Sequence, residues 1–296
     1  MEKKIPVILH TDIGTDIDDS WALLMLLRQN QLDLKMVLCD TGDVRYRAAL
    51  TAASLTAFGR PDIPIGMGCT SKVVSSCAEA LNGTELDDYK GGIYEDGVAK
   101  LIEIIRNTDE TVTLLSIGPA PAIQKALEIA PEIAPKVRFV GMFGSYKLGY
   151  CGKAEIAREY NVVHNIEAAK AVFAAPWREA VITPLDTCGI IILKEDHYRR
   201  LEKSKNPAIQ TLLDHYRLWR KSCNQPEAVT ESSILYETVA VHLVSSTEFL
   251  EMEEVHMLVN DEGYTKESEE GRTMKVAVRW SNMEAYKDFL VDTLLS

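Results

Sequence analysis

Short aliphatic runs and longer stretches of helical period alternate along this chain. The run "IPVIL" (5–9) reads as a first strand, and a helix follows from Asp19 or Ser20 with Ala22, Leu23, Leu26 and Leu27 on one face. "LKMVLC" (34–39) is a second strand, and 45–58 a second helix closed by Gly59 just before Pro61. "IPIGMG" (63–68) is a third strand, "GVAKLIEIIR" (97–106) an amphipathic helix, and "TVTLLSIG" (111–118) a buried strand ending at a Gly-Pro turn. A helix from Pro121 runs to the prolines at 131 and 135, "VRFVGMFG" (137–144) is a strand, 145–160 a loop, 166–175 a helix and 179–186 a strand. The tail pairs helices at 196–221 and 232–245 with strands at 255–260 and 274–280, a terminal hairpin looped by "DEGYTKESEEGR". This alternation predicts an α/β fold, an open and mostly parallel sheet flanked by helices, with a C-terminal helical region and that hairpin. No repeat, low-complexity tract or linker interrupts it, so one domain over 1–296 is expected.

Composition narrows the function classes. The chain has 296 residues, 46% hydrophobic and 26% charged, enough for a large core. Its net charge of -12, with 32 basic against 44 acidic residues, opposes general attraction to nucleic-acid phosphates or anionic membranes. No basic patch interleaves with aromatics, so a nucleic-acid polymer is not the expected substrate. The six cysteines (39, 69, 77, 151, 188, 223) show no CxxC or zinc spacing and read as reduced thiols. The apolar run near the start is too short for a signal-peptide core, and nothing approaches the roughly 18 apolar residues of a membrane span. A soluble, cytoplasmic protein without membrane partners is expected.

The chemistry concentrates in "HTDIGTDIDDSWALLMLL", where Asp12, Asp16, Asp18 and Asp19 are packed into eight residues directly after the first strand. Ligands in open α/β sheets bind at the carboxyl ends of strands. Carboxylates crowded there raise each other's pKa unless a cation cancels the repulsion, and an all-oxygen donor set favours Ca²⁺ or Mg²⁺ over zinc. A plain helix cap by Asp18 or Asp19 explains one or two of the four, hardly all. An EF-hand loop from Asp12 fails because Ile17 takes the glycine position and Leu23 that of the bidentate glutamate. A haloacid-dehalogenase-type phosphatase wants aspartates two apart, and Gly14 stands there instead.

"TDIGTDIDDSWALL" resembles the signature of the inosine-uridine-preferring nucleoside hydrolase superfamily in its longer form, DxGxDxDDxxAL. Asp12, Gly14, Asp16, Asp18, Asp19, Ala22 and Leu23 match it. The likeness continues, in order, through "TGDVRYRAALTAASLTAFGRPDIPIGMG", "VTLLSIGPAPAIQKAL", "VRFVGMFGS", "REYNVVHNIEAAKAVF" and "ILYETVAVHL". It implies hydrolysis of a ribonucleoside's N-glycosidic bond around one Ca²⁺, on a small nucleoside-like substrate, in a homodimer or homotetramer. By that likeness Asp12 binds metal and activates its water, Asp19 is a second metal carboxylate, and the Pro121 carbonyl and Glu237 complete the set, with Asp16 a further metal candidate. Asp18, Asp43, Met142, Glu159, Asn161 and Tyr236 fall on the substrate side, Glu159 and Asn161 at the ribose hydroxyls.

The departures lie on that substrate side. Asp43 replaces the amide of a GN turn, Pro121 and Ala122 replace threonine and asparagine, an asparagine expected after the "MFG" strand end is missing, and Tyr236 replaces a histidine. A tyrosine hydroxyl, with a pKa near about 10, yields its proton less readily than imidazole. His10 and His164, the nearest other imidazoles by motif position, read first as structural histidines. Trp21 and Trp177 read as core or interface. The competing reading is a descendant that binds metal and ribose and hydrolyses nothing.

Overall fold

The computed structural model describes residues 3–72, 85–226 and 229–296; Cys77 lies outside them, and Cys39, Cys69, Cys151, Cys188 and Cys223 are free thiols. In chain order the elements are β1 (Ile5–Thr11), α1 (Asp18–Leu27), β2 (Leu32–Cys39), α2 (Val44–Ala57), β3 (Ile65–Met67), β4 (Ile93–Tyr94), α3 (Gly97–Asn107), β5 (Val112–Ser116), α4 (Pro121–Ile129) and β6 (Val137–Met142). Then follow α5 (Tyr160–Val163), α6 (Ile166–Ala174), β7 (Glu179–Thr183), α7 (Leu185–Cys188), α8 (Glu195–Glu202), α9 (Pro207–Ser222), α10 (Tyr236–Leu243), β8 (Leu250–Val259), β9 (Thr265–Glu267), β10 (Arg272–Trp280) and α11 (Met283–Leu295).

The strands form one sheet in the order β4-β3-β2-β1-β5-β6-β7-β10-β8-β9. Every neighbour from β4 to β10 is parallel, and β8 and β9 add antiparallel pairs at one edge. The expected hairpin therefore joins the main sheet through its later strand, β10. The chain leaves β1 for β2 on one side and returns to pair β5 on the other, so the strand order reverses at β1. A crevice opens at the carboxyl ends where that happens.

Two apolar cores sandwich the sheet. One is built under α1, α2 and α8 to α11, the other under α3, α4 and α6. Helix α1 is buried from Asp18 to Leu26 rather than along one stripe, because α9, α10 and α11 cover what the sheet does not. Trp21, fully buried, meets Tyr216 edge to face, and Trp177 stacks on Phe139, so both tryptophans belong to the packing.

Several expected boundaries moved. The helix expected over 196–221 is two, because Asn206 caps α9 with Pro207 at its first position. The expected strand 179–186 stops at Thr183, where Pro184 leads into the one-turn α7. The helix expected from 232 begins at Tyr236, β8 starts at Leu250, and the polar loop after it contains β9. The C-terminal helix α11, absent from the expectation, is capped by Asn282.

Candidate active site

Register puts the first ingredients side by side. Thr11 pairs Cys39 and His10 pairs Ser116, so Asp12, Asp40 and the turn after β5 emerge together from three adjacent strands. Gly118 in that turn lies so close that a Cβ there would stand 2.7 Å from Asp12 Oδ1. Gly14 makes the sharp turn in the aspartate loop at φ +98, a backbone region L side chains rarely enter. Ile17 takes the N-cap position of α1 without a side-chain bond; Asp18 and Asp19 stand in the first turn and cap nothing.

Helix α10 brings the distant partners. It packs against α1, so the Tyr236 N–H donates to Asp18 Oδ2 at 3.2 Å across 218 residues of sequence. The carboxyls of Asp18 and Glu237 lie within hydrogen-bond reach of each other. A cavity of about 190 Å³ is lined by Asp12, Thr15, Asp16, Asp18, Asp19, Met142, Tyr150, Glu159, Tyr160, Asn161, Tyr236 and Glu237. All but two of the expected site residues thus meet in one place. Asp43 is exposed and spends Oδ1 on the N–H groups of Arg45 and Tyr46 as the cap of α2, and Pro121 is the first residue of α4; neither lines the cavity.

Burial governs the electrostatics. It pushes the carboxyls of Asp12 and Asp18 up from their ordinary range; the Arg47 guanidinium opposes it at Asp12, and Glu237 opposes it at Asp18. Asp19 is driven well above that range by burial and then by the charges of Asp12 and Asp18, and Glu237 by burial and then by Asp18. Asp16 rises to about 8, through burial and the Asp18 charge. Thr11 Oγ1 donates to Asp19 and the Ile17 N–H to Asp16. Asp12 Oδ2 and Glu237 Oε2 are buried with no hydrogen-bond partner among the described residues, a costly state for a carboxylate oxygen. Among the described residues no three His, Cys, Asp or Glu side chains already converge as a metal centre. The donor chemistry nevertheless fits a hard cation, since two orphaned oxygens and an all-carboxylate neighbourhood are what such an ion satisfies.

Glu159 caps α5, accepting from the N–H groups of Gly144, Asn161 and Val162, and burial raises it to about 7 against those bonds. Three of roughly four lone-pair sites are taken, which leaves one for a ligand hydroxyl. Asn161 commits its amide nitrogen to the Met142 carbonyl and sulfur, so its amide oxygen is left. Tyr150 and Tyr236 stand edge to face at 6.2 Å, and the Tyr150 hydroxyl accepts from the Tyr160 N–H. Both expected structural histidines are occupied elsewhere. His10 bridges Ser116 and Asp40 at 2.9 Å each, and the exposed His164 lies tilted against the Tyr160 ring with Nδ1 on the Tyr160 carbonyl.

Four residues at the site escaped the sequence reading: Thr15, Tyr150 and Tyr160 in the cavity, and Arg47 beneath it. Thr15 sits inside the aspartate motif, and Tyr160 sits between Glu159 and Asn161, so position alone could have flagged both. Arg47 carries no such signal, being a basic residue three positions into a helix.

A family model described as inosine-uridine preferring nucleoside hydrolase matches residues 7–293. The non-specific ribonucleoside hydrolase RihC of Salmonella newport (strain SL254) is 27% identical over 231 residues, 73% of this chain and 73% of that protein. Among solved structures, the plant nucleoside hydrolase PpNRh1 has a TM-score of 0.83 at 16% identity, covering 99% of each chain. The inosine-uridine preferring nucleoside hydrolase from Bacillus anthracis has a TM-score of 0.75 at 19% identity, again over 99% of both. At such identities these two establish the shared fold.

Proposed function

As a member of the inosine-uridine preferring nucleoside hydrolase family, this chain is a hydrolase of the ribonucleoside N-glycosidic bond, and we propose that Asp12 is its base and Ca²⁺ its resident ion. The carrying observation is the pairing of two buried, unpartnered carboxylate oxygens, on Asp12 and Glu237, in a cavity that also holds Glu159 and Asn161. Asp12, Asp19 and Glu237 would hold the ion, with Asp16 or Asp18 beside them. When bound, the ion supplies the charge that keeps these acids ionised together and that acidifies water.

Asp12 then takes a proton from the attacking water. Glu159 accepts a ribose hydroxyl with its remaining lone pair and Asn161 another with its amide oxygen. Both bonds tighten as positive charge develops on the ring carbon. The rings of Tyr150, Tyr160 and Tyr236 give the cavity an aromatic side suited to a planar base. Burial, and then the Asp18 charge, push the Tyr236 hydroxyl well up, so at neutral pH it offers the departing base a hydrogen bond rather than a free proton.

The test is a panel of purine, pyrimidine and modified nucleosides, followed by free base and reducing sugar, with calcium present, chelated and restored. Release that stops on chelation and returns with calcium is expected. Ligand binding without release from any member would overturn the hydrolytic reading.

A further inference from the structure

Beneath the aspartate loop lies a cation that, among the described residues, touches no carboxylate. Arg47, 1% exposed, rises from α2 into the loop's underside. Its Nε donates to the Thr41 carbonyl at 2.8 Å, Nη1 to the carbonyls of Asp12 and Ile13, and Nη2 to Thr15 Oγ1 at 2.8 Å. A buried guanidinium placed to neutralise the cluster would fork onto a carboxylate. This one spends its donors on backbone carbonyls and a hydroxyl, which fixes peptide planes. The same helix supports the turn, with Tyr46 and Leu50 packed where a Cβ on Gly14 would go.

Thr15 carries the arrangement to the reacting group. Its oxygen accepts from Arg47, so its own hydrogen is free to turn toward the cavity it shares with the Asp12 carboxylate, whose ionised form it favours. Its N–H also donates to the Asp12 carbonyl at 3.2 Å. Asp12 is thereby held at its carbonyl by Arg47 and by the Thr15 N–H, and its carboxylate shares the cavity with the Thr15 hydroxyl.

We propose that Arg47 and Thr15 are positioning residues that preset the Asp12 carboxylate for cation capture and for proton transfer, acting through loop geometry rather than through charge. The inference rests on the hydrolytic, calcium-binding reading above.

Arg47→Lys keeps the charge and loses the fork, while Arg47→Met loses both. Calorimetric titration with calcium alone is expected to show at least tenfold weaker binding in both. Thr15→Val is expected to lower kcat about tenfold with KM within twofold, and Thr15→Ser, which restores the hydroxyl, to recover most of it. Wild-type calcium affinity in Arg47→Lys, or tighter binding in Arg47→Met, would mark a simple counter-charge and overturn the proposal. Equal kcat in Thr15→Val and Thr15→Ser would overturn it as well, and that pair decides the matter if the Arg47 variants do not fold. Failure of the wild-type protein to bind calcium would instead sink the metal reading, while the valine-serine comparison still tests the positioning of Asp12.

Discussion

Two buried polar clusters stand next to each other at the same strand ends, and they differ in one respect. In the first, Asp40 takes hydrogen bonds from the N–H groups of Thr41, Cys69 and Ala122 and from His10, which in turn bonds Ser116; His10, Asp40 and Ser116 are all 0% exposed, and none of their side chains is left without a partner. In the second, Asp12 and Glu237 each keep an orphaned oxygen, and six acids share a pocket with their proton affinities pushed up. Satisfied polar groups rigidify a core, whereas unsatisfied ones wait for something else to bind. The difference separates scaffold from site where sequence position does not.

Substituting across the two clusters should break the comparison most sharply. Asp12→Asn is expected to cut kcat by a factor on the order of 10²–10⁴, the usual worth of a positioned base. Its thermal midpoint should hold or rise, since one of the crowded charges is gone. Asp40→Asn should do the reverse. It sets an amide NH₂ against groups that donate, at a cost of about 3 kcal/mol, read as a lower melting temperature and denaturant midpoint. Full turnover in Asp12→Asn, or an Asp40→Asn protein as stable as the parent, would erase the distinction.

Calcium should act on only one cluster. At a hundredfold excess over Kd it should stabilise the parent by about 2.7 kcal/mol, seen as a calcium-dependent melting temperature. Glu237→Ala should lose most of that increment, and Ser116→Ala should keep it.

Removing the ion exposes a pH dependence of unusual sign. Burial raises Glu159 from 4.5 to about 7, so between those values the folded state holds more protons than the unfolded chain. Stability therefore falls as pH rises through that window, by about 3 kcal/mol for a shift of this size. The raised aspartates work in the same direction. Chelated protein should melt lower at pH 7.5 than at pH 5, and Glu159→Gln should flatten the slope.

How much of this could be read beforehand follows the same division. The parallel core and the acidic loop were readable, because strand ends and crowded acids announce themselves in one dimension. Period-based reading failed where a local cap outranked hydrophobic pattern, as at Asn206-Pro207 between α8 and α9 and at Asn282 before α11. It also missed β9, an edge strand with one buried residue of three. Resemblance supplied Glu237, which no spacing ties to a residue more than 200 positions away. Neither route yielded Arg47 or Asp40. Their roles are defined by the carbonyls and amides they meet, and backbone groups leave no mark in sequence.

Asp43 gives the smallest effect and sharpens the boundary between site and scaffold. Resemblance puts it among the substrate contacts, whereas its carboxylate accepts from the Arg45 and Tyr46 N–H groups at 3.0 Å and stands outside the cavity. A cap of this kind is worth about 1 kcal/mol. Asp43→Ala should therefore lower stability by that amount, read as a lower denaturant midpoint, with KM shifting within about twofold through slight loosening of α2 and of the Arg47 it carries. Asp43→Ser, which can still cap, should recover the stability. A tenfold rise in KM in both variants, with stability intact, would move Asp43 back to the substrate and show that a satisfied carboxylate at the rim can serve both roles.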